Sequence, residues 1–113
     1  MQATADRLDA VFFALSDSTR RTILERLARG EAGVNELKDS FSISQPAISR
    51  HLKILERAQL IRRSRDAQRR PASVETQAIA DAESWIEHFQ QLWEANYQRL
   101  DALLAGELQN RKP

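Results

Sequence analysis

Apolar residues recur three and four positions apart along most of this chain, and the breaks in that rhythm mark its elements. Leu8, Val11, Phe12 and Leu15 predict a first helix over about Ala5–Leu15. Ser16, Asp17, Ser18 and Thr19 follow as a cluster of helix-capping residues. Asp17 is the expected cap, because its carboxylate accepts the open N–H groups of a first turn. Ile23, Leu24 and Leu27 form the apolar stripe of the second helix, and Gly30 is expected to end it in a left-handed conformation. Val34, Leu37 and Phe41 mark a short third helix. Ser44 then caps a fourth, with Pro46 in the first turn, where its missing N–H costs nothing. Ile48, Leu52 and Leu55 give that helix one buried face, and it is expected to end near Ala58.

The texture changes at Leu60-Ile61. β-Branched residues flank a polar, basic middle, which predicts strands at about Ile61–Ser64 and Ser73–Thr76 joined by a loop around Asp66–Arg70. Pro71 argues that the second strand starts late or lies at an edge. From about Ala80 to about Leu108 the pattern is helical again, and the tail from Gln109 to Pro113 is expected to fray. Ile86, Phe89, Trp93, Asn96, Leu100 and Leu103 alternate at three and four residues, as in a coiled-coil seam, and Trp85, Leu92, Tyr97 and Leu104 widen it.

With 113 residues, the chain fits one domain with one modest core. The last helix carries more apolar surface than such a core needs, so it calls for a partner. Having no cysteine, the chain has no disulfide or thiolate metal site. No run of about 18 apolar residues exists to cross a membrane. The N-terminal stretch carries Asp6 and Asp9 and lacks the basic start and cleavage site of a signal peptide, so a cytoplasmic protein is expected.

A net charge of +1 conceals an asymmetry. Between Ile43 and Arg70 eight Lys/Arg stand against two acids, whereas the rest holds nine basic and fourteen acidic residues. Such a block reads either as a surface for a polyanion or as a solvated charged face.

Two short helices separated by a tight break, Val34–Ser40 and Ser44–Ala58, form a helix-turn-helix candidate. Opposite the apolar face of the second helix stand Gln45, Ser49 and Lys53, with Pro46 and Arg50 beside them. Such groups near a helix N-terminus reach base edges and phosphates in a major groove, although an ordinary amphipathic surface helix has the same periodicity. Arg62, Arg63, Arg65, Arg69 and Arg70 follow directly, suited to planar phosphate contacts along the backbone or in the minor groove.

The stretches LSDSTRRTIL and VNELKDSFSISQPAISRHLKILERAQLI, with the arginine-rich segment after them, resemble the ArsR-type family of winged-helix repressors. The run Ser49-Arg50-His51-Leu52 with Leu55 is the most diagnostic, and the tail SWIEHFQQLWEANYQRLDALL is similar to a subgroup with a Trp-rich last helix. The resemblance implies a mainly α (α+β) fold: a winged helix-turn-helix with a small β-hairpin wing and long N- and C-terminal dimerisation helices. It also implies a homodimer on a near-palindromic operator, repressing by promoter occlusion. The expected DNA-binding set is Ser44, Gln45, Pro46, Ser49, Arg50, His51, Lys53, Arg63, Arg65, Arg69 and Arg70. The expected dimer interface uses Leu8, Phe12, Trp85, Phe89, Leu92, Trp93, Leu100 and Leu103.

Departures from the family bear on metals and on the wing. Metal-sensing relatives carry cysteines in the third helix, where this chain reads VNELKDSF. Others hold zinc with Asp and His of the last helix, where Asp81, Glu83, Glu87 and His88 are available with no second histidine. No metal and no cofactor is expected. The wing tip has Asp66-Ala67-Gln68 in place of a glycine.

Several residues keep two readings. His51 either touches DNA or packs between helices, with a mainly structural role expected. Arg20 and Arg21 open the second helix against its dipole, offset by a phosphate or an acidic neighbour. Trp85 and Trp93 line either a dimer core or a ligand pocket for a small-molecule effector. No catalytic set is visible, and an enzyme is not expected. A winged-helix protein-interaction module is the competing function; it calls for apolar residues at 45, 49, 50 and 53, where this chain has Gln, Ser, Arg and Lys.

Overall fold

The computed structural model describes residues 2–65 and 68–110. The order is α1 (Gln2–Leu15), α2 (Ser18–Ala28), α3 (Val34–Ser40), α4 (Gln45–Arg57), β1 (Ile61–Arg63), β2 (Ala72–Val74) and α5 (Gln77–Asn110). The chain divides into two compact units, Met1–Ala82 and Glu83–Pro113.

In the first unit, the apolar stripes of α1 to α4 meet in one core. Val11, Ile23, Leu37, Ile48, Leu52 and Leu55 are completely buried. Each such side chain contributes about 1.5–3 kcal/mol by leaving water. Leu60 and Ile61 carry the core into the hairpin, and Ala78 and Ala82 at the start of α5 close it. β1 and β2 pair antiparallel with Ile61 opposite Val74 and Arg63 opposite Ala72.

Local chemistry starts α2 and α4 as expected. The Asp17 carboxylate accepts the Arg20 N–H at 3.0 Å, and the Ser44 hydroxyl accepts the Ala47 N–H at 3.3 Å. Gly30 follows the cap residue Arg29 with φ +155°, a positive angle outside the left-handed well expected for it.

Three boundaries move. α1 begins at Gln2, ahead of its first core residue. β2 begins at Ala72, immediately after Pro71, because the proline needs no N–H there and its carbonyl accepts from Ser64 at 2.9 Å. Ala72 also exchanges two backbone hydrogen bonds with Ala32, at 2.8 and 3.1 Å, so β2 is flanked on both sides. α5 starts at Gln77 and runs through Asn110, beyond the expected end near Leu108. Of the segment expected to fray, residues 111–113 lie outside the described residues, as do Asp66 and Ala67 of the wing tip.

In the second unit, α5 is exposed along its apolar positions. Trp85, Phe89, Leu92, Trp93, Leu100 and Leu103 are each about half exposed or more. Trp85 and Phe89 stack one turn apart, 5.7 Å between centroids.

Candidate nucleic-acid interface

α4 divides sharply by face. Ile48, Leu52 and Leu55 are sealed in the core, whereas Gln45, Pro46, Ser49, Arg50 and Lys53 are all exposed. Ser44 sits at the cap, also exposed, and spends its hydroxyl on the first turn. The polar face is therefore not consumed by the chain's own packing within the described residues.

His51 lies elsewhere. It is half-buried, with Nδ1 3.4 Å from Nη1 of Arg20. A guanidinium can only donate, so Nδ1 accepts and the ring proton belongs on Nε2. Arg20 itself is buried. Its Nε donates to the carbonyl of Ala14 at 2.8 Å and its Nη2 to that of Phe13 at 3.1 Å. Arg21 donates to the carbonyl of Leu15 at 2.7 Å. These are the open carbonyls at the C-terminal, negative end of α1, which offset the charge of both arginines. Asp17 adds an acidic neighbour for Arg20, whose charge helps to hold that carboxyl below its ordinary pKa. Through Arg20, α1 and the exposed-faced helix α4 share one polar joint. Phe13, passed over in the sequence, stands 61% exposed with the Arg20 guanidinium over its ring at 5.3 Å.

The wing arginines have different fates. Arg62 pairs with Glu75 at 3.1 Å. Arg63 folds back, donating from Nε and Nη2 to the carbonyl of Arg70 at 3.3 and 3.0 Å. Burial first, then the like charge of Arg70, lowers the Arg63 pKa from its usual value. Arg69 is held by Glu36: its Nε lies 2.9 Å from Oε1 and its Nη2 reaches the same oxygen. Arg65 and Arg70 are exposed, and Arg70 takes a positive φ of 41°.

Glu36, which the sequence did not single out, joins this surface through Arg69. One signal was present: Gly33 and Glu36 have the spacing of a capping box, and the Gly33 N–H donates to Glu36 Oε1 at 3.4 Å. Its partner 33 residues downstream left no local trace. Together Gly33, Glu36, Gln45, Arg63, Arg69 and Arg70 line a cleft between the start of α3, the start of α4 and the wing.

The family model "Bacterial regulatory protein, arsR family" matches residues 17–63, the span from the α2 cap through the helix-turn-helix to β1. The transcriptional repressor SdpR of Bacillus subtilis is 38% identical over 82 residues, covering 73% of this chain and 91% of that protein. The chain belongs to the ArsR family of bacterial regulators. Solved structures agree. The crystal structure of an ArsR family transcriptional regulator superposes with a TM-score of 0.75 at 36% identity, covering 80% of this chain and 93% of the other. A homodimeric winged helix-turn-helix DNA-binding domain of Mb0332 from Mycobacterium bovis matches with a TM-score of 0.63 at 25% identity, covering 80% and 86%. This ArsR-family chain thus has the winged helix-turn-helix fold, α3 and α4 forming the motif and β1–β2 the wing.

Among the described residues no group of three or more His, Cys, Asp or Glu side chains is arranged to hold an ion. Asp81 is engaged by Arg7 at 3.4 Å and by the Gln77 amide at 3.1 Å. Among the described residues, no helix is long and apolar enough to cross a membrane.

Proposed function

We propose that this chain is a homodimeric, non-enzymatic repressor in the cytoplasm that lays α4 in the major groove of a near-palindromic operator and its wing along the adjacent backbone. The observation that carries the reading is the exposed Gln45, Ser49, Arg50 and Lys53 on a helix whose opposite face is fully buried. A side chain on a helix anchored in this way reaches a base edge with little loss of freedom on binding. Arg65 and Arg70 supply phosphate contacts, while Ser44, Pro46, Arg63 and His51 orient the surface. Two-fold symmetry would set the two α4 helices about 34 Å apart, in successive major grooves.

The second copy is met by the apolar side chains of α5, from Trp85 through Leu103, and by Phe12 on α1. Leu8 is packed mainly against its own core. Small-molecule control is a further part of this reading, the aromatic side chains from Phe89 to Tyr97 being the surface an apolar effector would meet. A thermal-shift panel of metals and metabolites tests it, and a flat result removes it.

The deciding experiment is a gel shift with DNA from upstream of the chain's own coding region, repeated at several salt concentrations. Affinity falls steeply with salt, and Arg50→Ala narrows discrimination between operator and mismatched DNA by about 1–3 kcal/mol. Absence of binding, or binding indifferent to salt, refutes the proposal.

A further inference from the structure

The three contacts that fix the wing to the start of α3 have a consequence for how this chain meets DNA. The first is steric. Gly33 is buried, and a Cβ there would sit 2.9 Å from the backbone oxygen of Arg69, so only glycine lets the wing approach. The second is the Ala32–Ala72 backbone exchange. The third is electrostatic: Glu36 Oε1 receives both Nε and Nη2 of Arg69, together with the Gly33 N–H. The pair is about half exposed, at 53% for Arg69 and 42% for Glu36, and so it lies at the protein surface.

We propose that Glu36 withholds Arg69 from the DNA backbone, keeping the wing's sequence-independent affinity one phosphate contact below what its arginines allow. The proposal rests on the reading that the wing lies on DNA. Non-specific binding is set by the number of phosphates neutralised, whereas useful selectivity is the ratio of specific to non-specific affinity. A guanidinium already satisfied by a carboxylate releases few counterions. A phosphate that approached it would also meet the Glu36 charge. Glu36 is therefore a specificity-determining residue that touches no base. Arg69 becomes a fastening of the wing, unlike Arg65 and Arg70.

The test needs no operator. Fluorescence anisotropy is measured with the full chain on a labelled duplex of about 20 base pairs and arbitrary sequence, over roughly 50–200 mM salt. Glu36→Gln frees one cation, so the slope of log affinity against log salt steepens by about 0.9, and the affinity lost across that range grows about 3–4-fold. The double variant Glu36→Gln/Arg69→Gln returns to the wild-type slope. Arg65→Gln, as reference, flattens it by about 0.9. Circular dichroism melting keeps each variant's folding in view.

Two results overturn the proposal while leaving the DNA reading intact: Glu36→Gln with the wild-type slope in a folded protein, or the double variant flattened as much as Arg65→Gln. The latter means that Arg69 already contacts phosphate. Failure of the folded wild-type chain to bind the duplex at any salt overturns the DNA reading and this proposal with it. Limited trypsin digestion without DNA tests the fastening itself: Glu36→Gln accelerates cleavage of the Arg69–Arg70 bond, Arg70 being protected by the proline that follows it, and unchanged cleavage counts against the fastening.

Discussion

α4 and the outer part of α5 are both amphipathic helices, yet their apolar faces meet opposite fates. Leu52 on α4 is 0% exposed, whereas Trp93 on α5 is 61% exposed. The apolar face of α4 is satisfied inside the chain, which leaves its polar face available as a rigid surface. The apolar face of α5 stays in contact with solvent, at a cost that a second copy would relieve. One helix is stable because of its own fold, and the other is expected to depend on concentration.

That contrast can be broken at its strongest point first. Leu52→Ala empties a fully buried site and is expected to destabilise the chain by about 2–5 kcal/mol in urea titrations, at any protein concentration. Leu100→Asp with Leu103→Asp should instead act through association: sedimentation shifts from dimer to monomer, and Tm loses its dependence on protein concentration. If the double aspartate variant remains dimeric, the α5 interface is wrong. Ser44→Ala removes the α4 cap and should cost about 1 kcal/mol without changing the oligomeric state.

The smallest effect concerns acid. Asp17 is held below its ordinary pKa chiefly by the Arg20 N–H. Glu36 is held below its own, first by the Arg69 side chain and then by the Gly33 N–H. As pH falls, the unfolded chain takes up these protons before the native one. Their stabilisation is therefore complete above the ordinary carboxylate range near about 4 and is lost as pH drops through the lower native values. Urea midpoints should decline between roughly pH 5 and pH 3, less steeply in Asp17→Asn. A variant as acid-sensitive as the wild type would place the effect on other carboxylates.

Much of the fold was legible because its signals are local. Asp17 and Ser44 cap the helices expected of them, and Ile48, Leu52 and Leu55 occupy the buried face that their spacing marks. The exposure of Gln45, Ser49, Arg50 and Lys53 follows from the same periodicity. The wing was read less well. Pro71 suggested a later strand, but Ala72 pairs on both sides, and its second partner, Ala32, lies 40 residues earlier. Arg69 was expected among the phosphate contacts, and its pairing with Glu36 went unforeseen, since a run of arginines does not reveal which member has a carboxylate partner.

What the chain's own pattern determined is therefore the set of helices, their ends and which face of each is apolar, since these depend on neighbours within a turn or two. Only the tertiary structure decided what each polar group touches. Arg20 and Arg21 could not be assigned to the carbonyls of α1, nor Arg69 to Glu36, until the chain had folded back on itself. A backbone carbonyl has no identity in the sequence, and an ion pair between distant residues has no period. Packing brings such partners together, and they settle which charges face solvent and which are already engaged.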